Sequence, residues 1–258
     1  MQIYRGKLEL LDYVFYATTE RGLTHETGEF IHNYALTYAL GLAQGARYTN
    51  LVQKPRYKEE LTSLNGRLYI TPAAPERVAY STIQWNTLNE SYTISGKERS
   101  IGYPDWGFAH MLRPGSRFIF YVLIQDQNLP AAPTLGYLLQ GKPVYVRLGK
   151  FMAKSRVELS PADQVVMRKS AFRSDAYLNW QDLPVDPEFC DVVIASRPTR
   201  LIKRSQFPEW PHYEAHFGGD VVRLPEGMCF VLRLSSRQAA RKASSGQKRG
   251  TLETEPST

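Results

Sequence analysis

The side chains best suited to binding chemistry are five cations grouped in the second half of the sequence. They are Lys142, Arg147, Lys150, Lys154 and Arg156. Two strands joined through a turn at Gly149 would place several of these charges along one line, because side chains on one face of a strand recur at every second residue. Such a line could neutralise successive phosphates of a nucleic acid, and Phe151 or Tyr145 could stack on a base. From spacing alone, a solvated charged face is an equally good interpretation.

A second candidate lies where the first helix is predicted to begin. His32 and Asn33 stand near the start of an apolar stripe within residues 29–42, and free amides at a helix N-terminus attract anions. His32 could therefore contact a phosphate or act as the general base of an RNA-cleaving site. A capping or surface histidine is the simpler interpretation.

A metal site and a common catalytic motif are both poorly supported. His212 and His216 could share a zinc ion with Cys190 and Cys229, but the spacings match no compact zinc finger. The sequence lacks a Gly-x-Ser-x-Gly elbow, a phosphate loop ending in Gly-Lys-Ser/Thr and a His-Glu-x-x-His pair. We therefore predict no metal, no cofactor and no catalytic residue.

A polar, aromatic stretch without helical periodicity covers residues 84–114. Long loops inside compact domains tend to be functional, and we interpret this one as a long hairpin that leaves the sheet. Tyr103 could stack on a base, and Arg113 could bind a phosphate at the base of the hairpin. The aromatic rings could equally fold back as a small satellite core.

Composition limits the class of protein. Of 258 residues, 43% are hydrophobic, which supports a folded core and excludes wholesale disorder. The sequence has no long apolar run for a membrane-spanning helix, no apolar signal segment near Met1 and only two cysteines, so we expect a cytoplasmic protein. The net charge of +7 weakly favours a phosphate-rich partner. Residues 1–130 are nearly neutral, with 13 basic and 12 acidic side chains.

Hydrophobic periodicity predicts the strands and helices. The predicted strands cover residues 4–10, 116–125, 144–148, 153–159 and 228–234. The predicted helices cover residues 29–42 and 160–172, the second beginning with the capping pattern Ser-Pro-Ala-Asp.

This order of elements predicts an α+β fold built on an antiparallel sheet. We expect a ferredoxin-like (RRM-like) domain over residues 1–130, with residues 84–114 as a long hairpin insertion. A smaller β-rich C-terminal half should follow over 131–234. Residues 235–258 are basic and poor in apolar side chains, which predicts a disordered tail.

Several segments resemble a known family. They are LELLDYVFYAT at 8–18, FIHNYALTYALGL at 30–42, RPGSRF at 113–118, RLGKFMAKSRV at 147–157 and LPEGM at 224–228. On these segments the chain is similar to the type I-D member of the Cas5 family, Csc1, a CRISPR-associated backbone subunit. The resemblance extends to about Leu234 and leaves out the tail.

The resemblance implies a fold and a role. The fold would be the ferredoxin-like fold of the repeat-associated RNA-binding superfamily, with residues 84–114 as its hairpin thumb. The protein would be a non-catalytic subunit of the Cascade surveillance complex that holds the 5′ handle of the crRNA. It would contact the backbone subunit and the large subunit near the PAM, where target DNA is also within reach. No membrane is involved.

The spacing of the cations and the family resemblance together indicate which residues contact RNA. They are Arg147, Lys150, Lys154 and Arg156, with His32, Asn33, Arg113 and Tyr103 as further candidates. Two alternatives stay open from the sequence: a metal-independent endoribonuclease that processes CRISPR repeat RNA, and an RNA-independent protein-interaction adaptor.

Overall fold

The computed structural model describes residues 1–16, 18–21, 24–43, 55–87, 105–126, 132–195 and 198–233. Within these ranges the chain is mostly strands, with a few short helices, and the predicted α+β class is confirmed. The helices are α1 (Asn33–Ala39), α2 (Tyr57–Leu61) and α3 (Pro133–Leu139), with 3₁₀ turns at Thr62–Leu64 and Trp180–Asp182.

A main sheet of six strands carries the helices. Its members are β1 (Gln2–Leu10), β4 (Leu68–Ile70), β5 (Ala74–Arg77), β8 (Arg117–Ile124), β9 (Val144–Leu148) and β10 (Ala153–Pro161). The order across the sheet is β4-β8-β1-β10-β9, all antiparallel, with β5 also paired to β8. Because β9 and β10 pair into the sheet beside β1, a domain boundary at residue 130 would cut through it.

A second sheet of four strands contains the predicted hairpin. Its members are β2 (Thr19–Arg21), β3 (Thr24–Glu26), β6 (Tyr80–Thr87) and β7 (Asp105–Leu112). Strands β6 and β7 form an antiparallel pair from Tyr80 opposite Leu112 to Thr87 opposite Asp105. The hairpin thus begins four residues before the predicted limit of 84, and its residues 88–104, which include Tyr103, lie outside the described residues.

A third sheet forms most of the C-terminal half. Its members are β11 (Gln164–Ser174), β12 (Leu178–Asn179), β13 (Phe189–Ile194), β14 (Leu201–Phe217) and β15 (Asp220–Pro225). The long strand β14 is central and pairs with the other four. The C-terminal end of β14 reaches the main sheet, where the Arg5 guanidinium lies 4.5 Å from the Phe217 ring centroid.

The two faces of the main sheet differ in what covers them. One face buries Leu8, Leu10, Phe118 and Phe120 in the main core. Helices α1 and α3 contact strands β9 and β10 beside this core, and burial of such apolar surface stabilises the fold by roughly 25 cal/mol per Å². The opposite face is covered by the C-terminal half near Arg5 and is open near β9, so only its open part is available to a ligand.

Two predicted elements are wrong. Residues 160–172 form the end of β10 and most of β11, where a helix was predicted. The apparent helix cap is a corner between these strands, because the Ala162 amide donates to the Ile3 carbonyl and the Asp163 amide donates to the His216 carbonyl, each at 2.8 Å. Residues 228–233 form an irregular segment that ends in a turn, where the last strand was predicted.

Other boundaries also differ. The first helix is shorter than predicted and ends before Gly41, which has a φ of +71°. Pro133 is the first residue of α3, as its fixed φ allows. The predicted tail 235–258 lies outside the described residues.

Candidate nucleic-acid interface

The β9–β10 hairpin presents its side chains in alternation. Val144, Val146 and Leu148 are buried, whereas Tyr145 and Arg147 point to the open face. The predicted strands 144–148 and 153–159 are therefore confirmed, and the turn between them covers residues 149–152.

Gly149 sets the shape of this turn. Its φ is +76°, and a Cβ atom at this position would lie 2.8 Å from the Phe15 carbonyl oxygen and 3.1 Å from the Phe15 amide nitrogen. The Lys150 amide donates a 2.9 Å hydrogen bond to that same carbonyl. Only glycine fits here without strain, because other residues rarely adopt positive φ and have a Cβ that would clash.

The cations of the hairpin lie side by side on the open face. Arg147 is paired in register with Lys154, and Tyr145 with Arg156. The Lys154 ammonium lies 4.5 Å from the centroid of the Tyr145 ring, which is 56% exposed. Such a cation–π contact holds an ammonium in place while leaving it accessible.

Aromatic rings border the Lys150 side of the turn. The Phe15 and Phe151 rings are stacked, with centroids 5.5 Å apart and planes 16° from parallel. Phe151 is 64% exposed, and the Lys150 ammonium lies 5.6 Å from the Phe15 ring centroid. The turn thus presents a free aromatic face next to a cation, which is the combination that single-stranded nucleic acids require.

The charge of Arg156 is locally compensated. Its guanidinium contacts the Glu158 carboxylate, and it is paired in register with Glu9, which binds Arg117 at 3.1 Å. Within the described ranges, no carboxylate lies within ion-pair distance of Arg147, Lys150 or Lys154. The uncompensated positive charge therefore lies at the β9 end of the open face.

Arg113 lies at the same end of the sheet. It follows Leu112, whose amide and carbonyl form a bridge to Val14, the neighbour of Phe15. Segment 13–16 thus runs between the β7 end and the Gly149 turn. Arg113 is exposed, and its phosphate contact stays a prediction.

His32 is in a different environment from the one predicted. It is 5% exposed and caps α1, because its Nδ1 accepts a 3.2 Å hydrogen bond from the Tyr34 amide. With Nδ1 as acceptor, Nε2 carries the proton and donates to Thr199 Oγ1 at 2.9 Å. Burial lowers the pKa of His32 to about 3. Both ring nitrogens are thus engaged, which contradicts a direct phosphate contact or a general-base role.

Asn33 is also an internal residue. Its side chain is fully buried, donates to Asp182 Oδ2 at 2.8 Å and accepts from Asn179 Nδ2 at 3.1 Å. An amide held at both ends in the interior cannot reach RNA, so this predicted contact is corrected. The residue instead joins α1 to the C-terminal half.

Asp182 is the centre of this internal network. Its buried carboxylate accepts hydrogen bonds from the Tyr34 hydroxyl at 2.7 Å, the Tyr69 hydroxyl at 3.0 Å and the Val231 amide at 2.9 Å, besides Asn33. Burial raises the pKa of Asp182 to about 6, although these donated bonds oppose the shift. A satisfied polar network of this kind fixes one packing arrangement.

The histidines considered for zinc lie in strand β14. His212 is buried, with its ring stacked on Phe172 at 4.0 Å between centroids. In the part of the chain that the structure describes, no three His, Cys, Asp or Glu side chains are placed to hold a metal ion.

A groove that sequence reasoning missed lies between α1 and the Gly149 turn. Its volume is about 870 Å³. We call it the α1 groove and define it by six residues of its walls: Tyr16, Phe30, Ala35, Tyr38, Ala39 and Tyr57. Arg147 and Lys150 stand at its rim. Ala35 and Ala39 are one turn apart on α1, and their small side chains leave the space open. The spacing of these two alanines is the sequence feature that could have predicted the groove.

Tyr16 connects the groove to the turn. It lines the groove together with Gly149, and burial raises the pKa of Tyr16 to about 12, so the hydroxyl stays protonated. Apart from Arg147 and Lys150, the residues that line the groove carry no charge at neutral pH, since His32 among them is also neutral.

Comparison with models of known protein families identifies the family of the chain. The family model for type I-D CRISPR-associated protein Cas5/Csc1 matches residues 1–233. The chain belongs to this Cas5/Csc1 family. None of the curated proteins matches the sequence significantly.

Solved structures give only remote similarities. A CRISPR protein from Archaeoglobus fulgidus is 12% identical with a TM-score of 0.41, covering 89% of this chain and 100% of that one. A chain of the type III-B Cmr-beta complex bound to cognate target RNA and AMPPnP is 9% identical with a TM-score of 0.43, covering 85% and 86%. A chain of a type IV-B CRISPR complex is 10% identical with a TM-score of 0.32, covering 63% and 91%. These similarities are too remote to transfer a function.

The sequence has no apolar run long enough for a membrane-spanning helix, and the helices can be compared with that expectation. Among the helices of the described residues, none is long and apolar enough to cross a membrane.

Proposed function

We propose that this chain is a non-catalytic subunit of a type I-D CRISPR effector complex that binds the 5′ handle of the crRNA. Membership in the Cas5/Csc1 family supports a place in such a complex. The observation that carries the binding site is the Gly149 turn, which projects Lys150 beside an exposed aromatic ring while Arg147 and Lys154 flank it on the open face.

The electrostatics support a single-stranded ligand. Cations without nearby carboxylates attract phosphates strongly, because each contact releases a condensed counterion. The exposed Phe151 and Tyr145 rings offer stacking surfaces at the same place, and stacking on such rings tolerates any base. Together they fit a bent or extended RNA strand better than a duplex, whose bases are already stacked.

The internal position of His32 supports a binding role over cleavage. A general base needs a free nitrogen with a pKa near the working pH, whereas the pKa of His32 is lowered to about 3 and both of its nitrogens are engaged. No other feature of the described residues favours the endoribonuclease or the RNA-independent adaptor.

We further propose the ferredoxin-like interpretation of the main sheet. Helix α1 lies between β1 and β4 in the chain, α3 lies between β8 and β10, and these four strands have the order β4-β8-β1-β10. That order of strands and crossovers supports the interpretation. The β6–β7 hairpin is then the thumb, directed to the neighbouring backbone subunit, and the large subunit and PAM-proximal target DNA are the other proposed partners.

A direct experiment separates binding from cleavage. Purified full-length protein is incubated in EDTA with labelled RNA carrying the repeat of its own CRISPR array, and samples are run on native and denaturing gels. The proposal predicts a shifted band and intact RNA, with weaker binding at higher salt. RNA lacking the handle segment should bind less tightly. Discrete cleavage products, or equal binding of both RNAs, would contradict it.

A further inference from the structure

The α1 groove combines an uncharged interior with a charged rim. Tyr16, Phe30, Tyr38 and Tyr57 supply aromatic surface, whereas Arg147 and Lys150 stand where the groove opens to solvent. An isolated phosphate inside would lack charge compensation, and burying an unpaired charge is costly. The interior therefore suits a flat, neutral, partly apolar group that is attached to an anion.

The walls of the groove are fixed by contacts with one another and with residues behind them. The Tyr57 ring packs against Tyr34 with centroids 4.8 Å apart and meets Tyr38 at 6.2 Å with planes 71° apart. The Tyr16 amide donates to Thr27 Oγ1 at 3.2 Å, and His32 is held by Thr199. A preformed cleft loses little conformational entropy when a ligand enters it.

We propose that the α1 groove holds one unpaired nucleobase of the bound RNA, while Lys150 and Arg147 at its rim contact the adjoining phosphates. This inference rests on the proposed function and adds a pocket to it. Arg147 donates a 3.1 Å hydrogen bond to the Met152 carbonyl, but neither Arg147 nor Lys150 has a carboxylate partner among the described residues. Two such cations at the rim favour a nucleotide, which brings phosphates, over an apolar side chain of a protein partner.

Filling the groove tests the proposal. Ala39→Leu puts bulk into the space without changing any charge, and Ala35→Leu does the same one turn earlier on α1. Ala171→Leu, at an exposed position of β11, is the matched control. Circular dichroism and urea unfolding identify which groove variant stays folded, so that a folding defect in one leaves the other as the probe.

The RNA is varied in parallel. Abasic nucleotides are introduced one at a time along the repeat RNA, and binding is measured at fixed salt for the wild type and the variants. We expect one abasic position to weaken wild-type binding roughly tenfold, the usual worth of a stacked base. Ala39→Leu should weaken binding of intact RNA to a similar degree, leave the salt dependence unchanged and abolish the sensitivity to that abasic site. Ala171→Leu should behave as wild type.

The other outcomes separate the two proposals. Salt-sensitive binding by the wild type with every abasic site tolerated would overturn the base pocket and leave handle binding intact. Sensitivity to an abasic site that persists in Ala39→Leu would place the base elsewhere. If Ala39→Leu disturbs only co-purification with a protein subunit, the groove holds a protein side chain. Failure of the wild type to bind repeat RNA would reject both proposals.

Discussion

The backbone amide of Lys150 donates a 2.9 Å hydrogen bond to the carbonyl oxygen of Phe15. This bond attaches the β9–β10 turn to the segment that follows β1, so the ammonium of Lys150 and the ring of Phe151 are held at a defined place on the edge of the sheet. The contact requires a residue without a Cβ at position 149, which links a single glycine to the presentation of the cation cluster.

Replacing this glycine should damage stability and binding together. In Gly149→Ala the new Cβ would lie 2.8 Å from the Phe15 carbonyl oxygen at a φ of +76°. Gly141→Ala is the control, because Gly141 has a φ of +73° and no atom within 4 Å of its Cβ position. We expect a loss of about 1–2 kcal/mol for Gly141→Ala from positive φ alone, and a clearly larger loss with weaker RNA binding for Gly149→Ala. Equal urea midpoints for the two variants would contradict the close contact.

The exposed ring of Phe151 should contribute more to RNA binding than to stability. Phe151→Ala removes a stacking surface that is 64% exposed, and we expect binding to weaken by about 1–3 kcal/mol with an unchanged salt slope. Phe189→Ala, which removes a ring 66% exposed on β13, should leave RNA binding unchanged. Fluorescence anisotropy with labelled RNA measures both, and a similar effect of the two variants would show that Phe151 has no specific role.

The hydrogen bond from Tyr34 to Asp182 should matter for folding. Tyr34→Phe removes a hydroxyl that donates at 2.7 Å to a fully buried carboxylate, and a lost bond to a charged group costs about 1.5–3 kcal/mol. Tyr137→Phe, at a ring 53% exposed on α3, should cost nothing measurable. Chemical denaturation measures the free energy of unfolding of the wild type and both variants. An unchanged free energy for Tyr34→Phe would contradict the role of this hydrogen bond in folding.

The buried His32 should make stability depend on pH. Burial lowers the pKa of His32 from its ordinary value of 6.5 to about 3 in the folded protein. Below pH 6.5 the unfolded chain therefore binds the proton more readily than the folded protein does. Stability is therefore complete above that pH and falls on acidification by up to about 1.4 kcal/mol per pH unit. Asp182, with its pKa raised to about 6, acts in the opposite direction, since its protonation favours the folded state.

His32→Asn isolates the histidine contribution. An asparagine can still cap α1 through its side-chain oxygen but does not titrate. Urea midpoints of wild type and variant are compared from neutral to mildly acidic pH. We expect the stability difference between them to shift in favour of the variant as the pH falls. A constant difference would mean that His32 titrates normally and is not buried in solution.

The sequence predicts local features of the interface well. Alternation alone places Tyr145 and Arg147 on one face of a strand and predicts both strands of the β9–β10 hairpin. The α+β class follows from the same patterns. These features depend on neighbours in the chain, which is why they are visible without a structure.

Features that depend on distant residues are not visible in the sequence. His32 is buried by Thr199, which is 167 positions away, and Asn33 by Asp182, which is 149 positions away. The pattern at Ser160–Asp163 indicates a helix start, but contacts with Ile3 and His216 turn it into a strand corner. The α1 groove likewise forms between a helix and a turn that are far apart in the chain.

The central claim is that uncompensated cations on the β9–β10 hairpin bind the phosphates of the handle. The most direct test is the salt dependence of repeat-RNA binding by the double variant Lys150→Ala/Lys154→Ala. Lys169→Ala, which removes an ammonium 69% exposed on β11, is the control. Two lost phosphate contacts should lower the slope of log affinity against log salt by about two and weaken binding at every salt concentration. An unchanged slope, or an equal effect of Lys169→Ala, would contradict the claim.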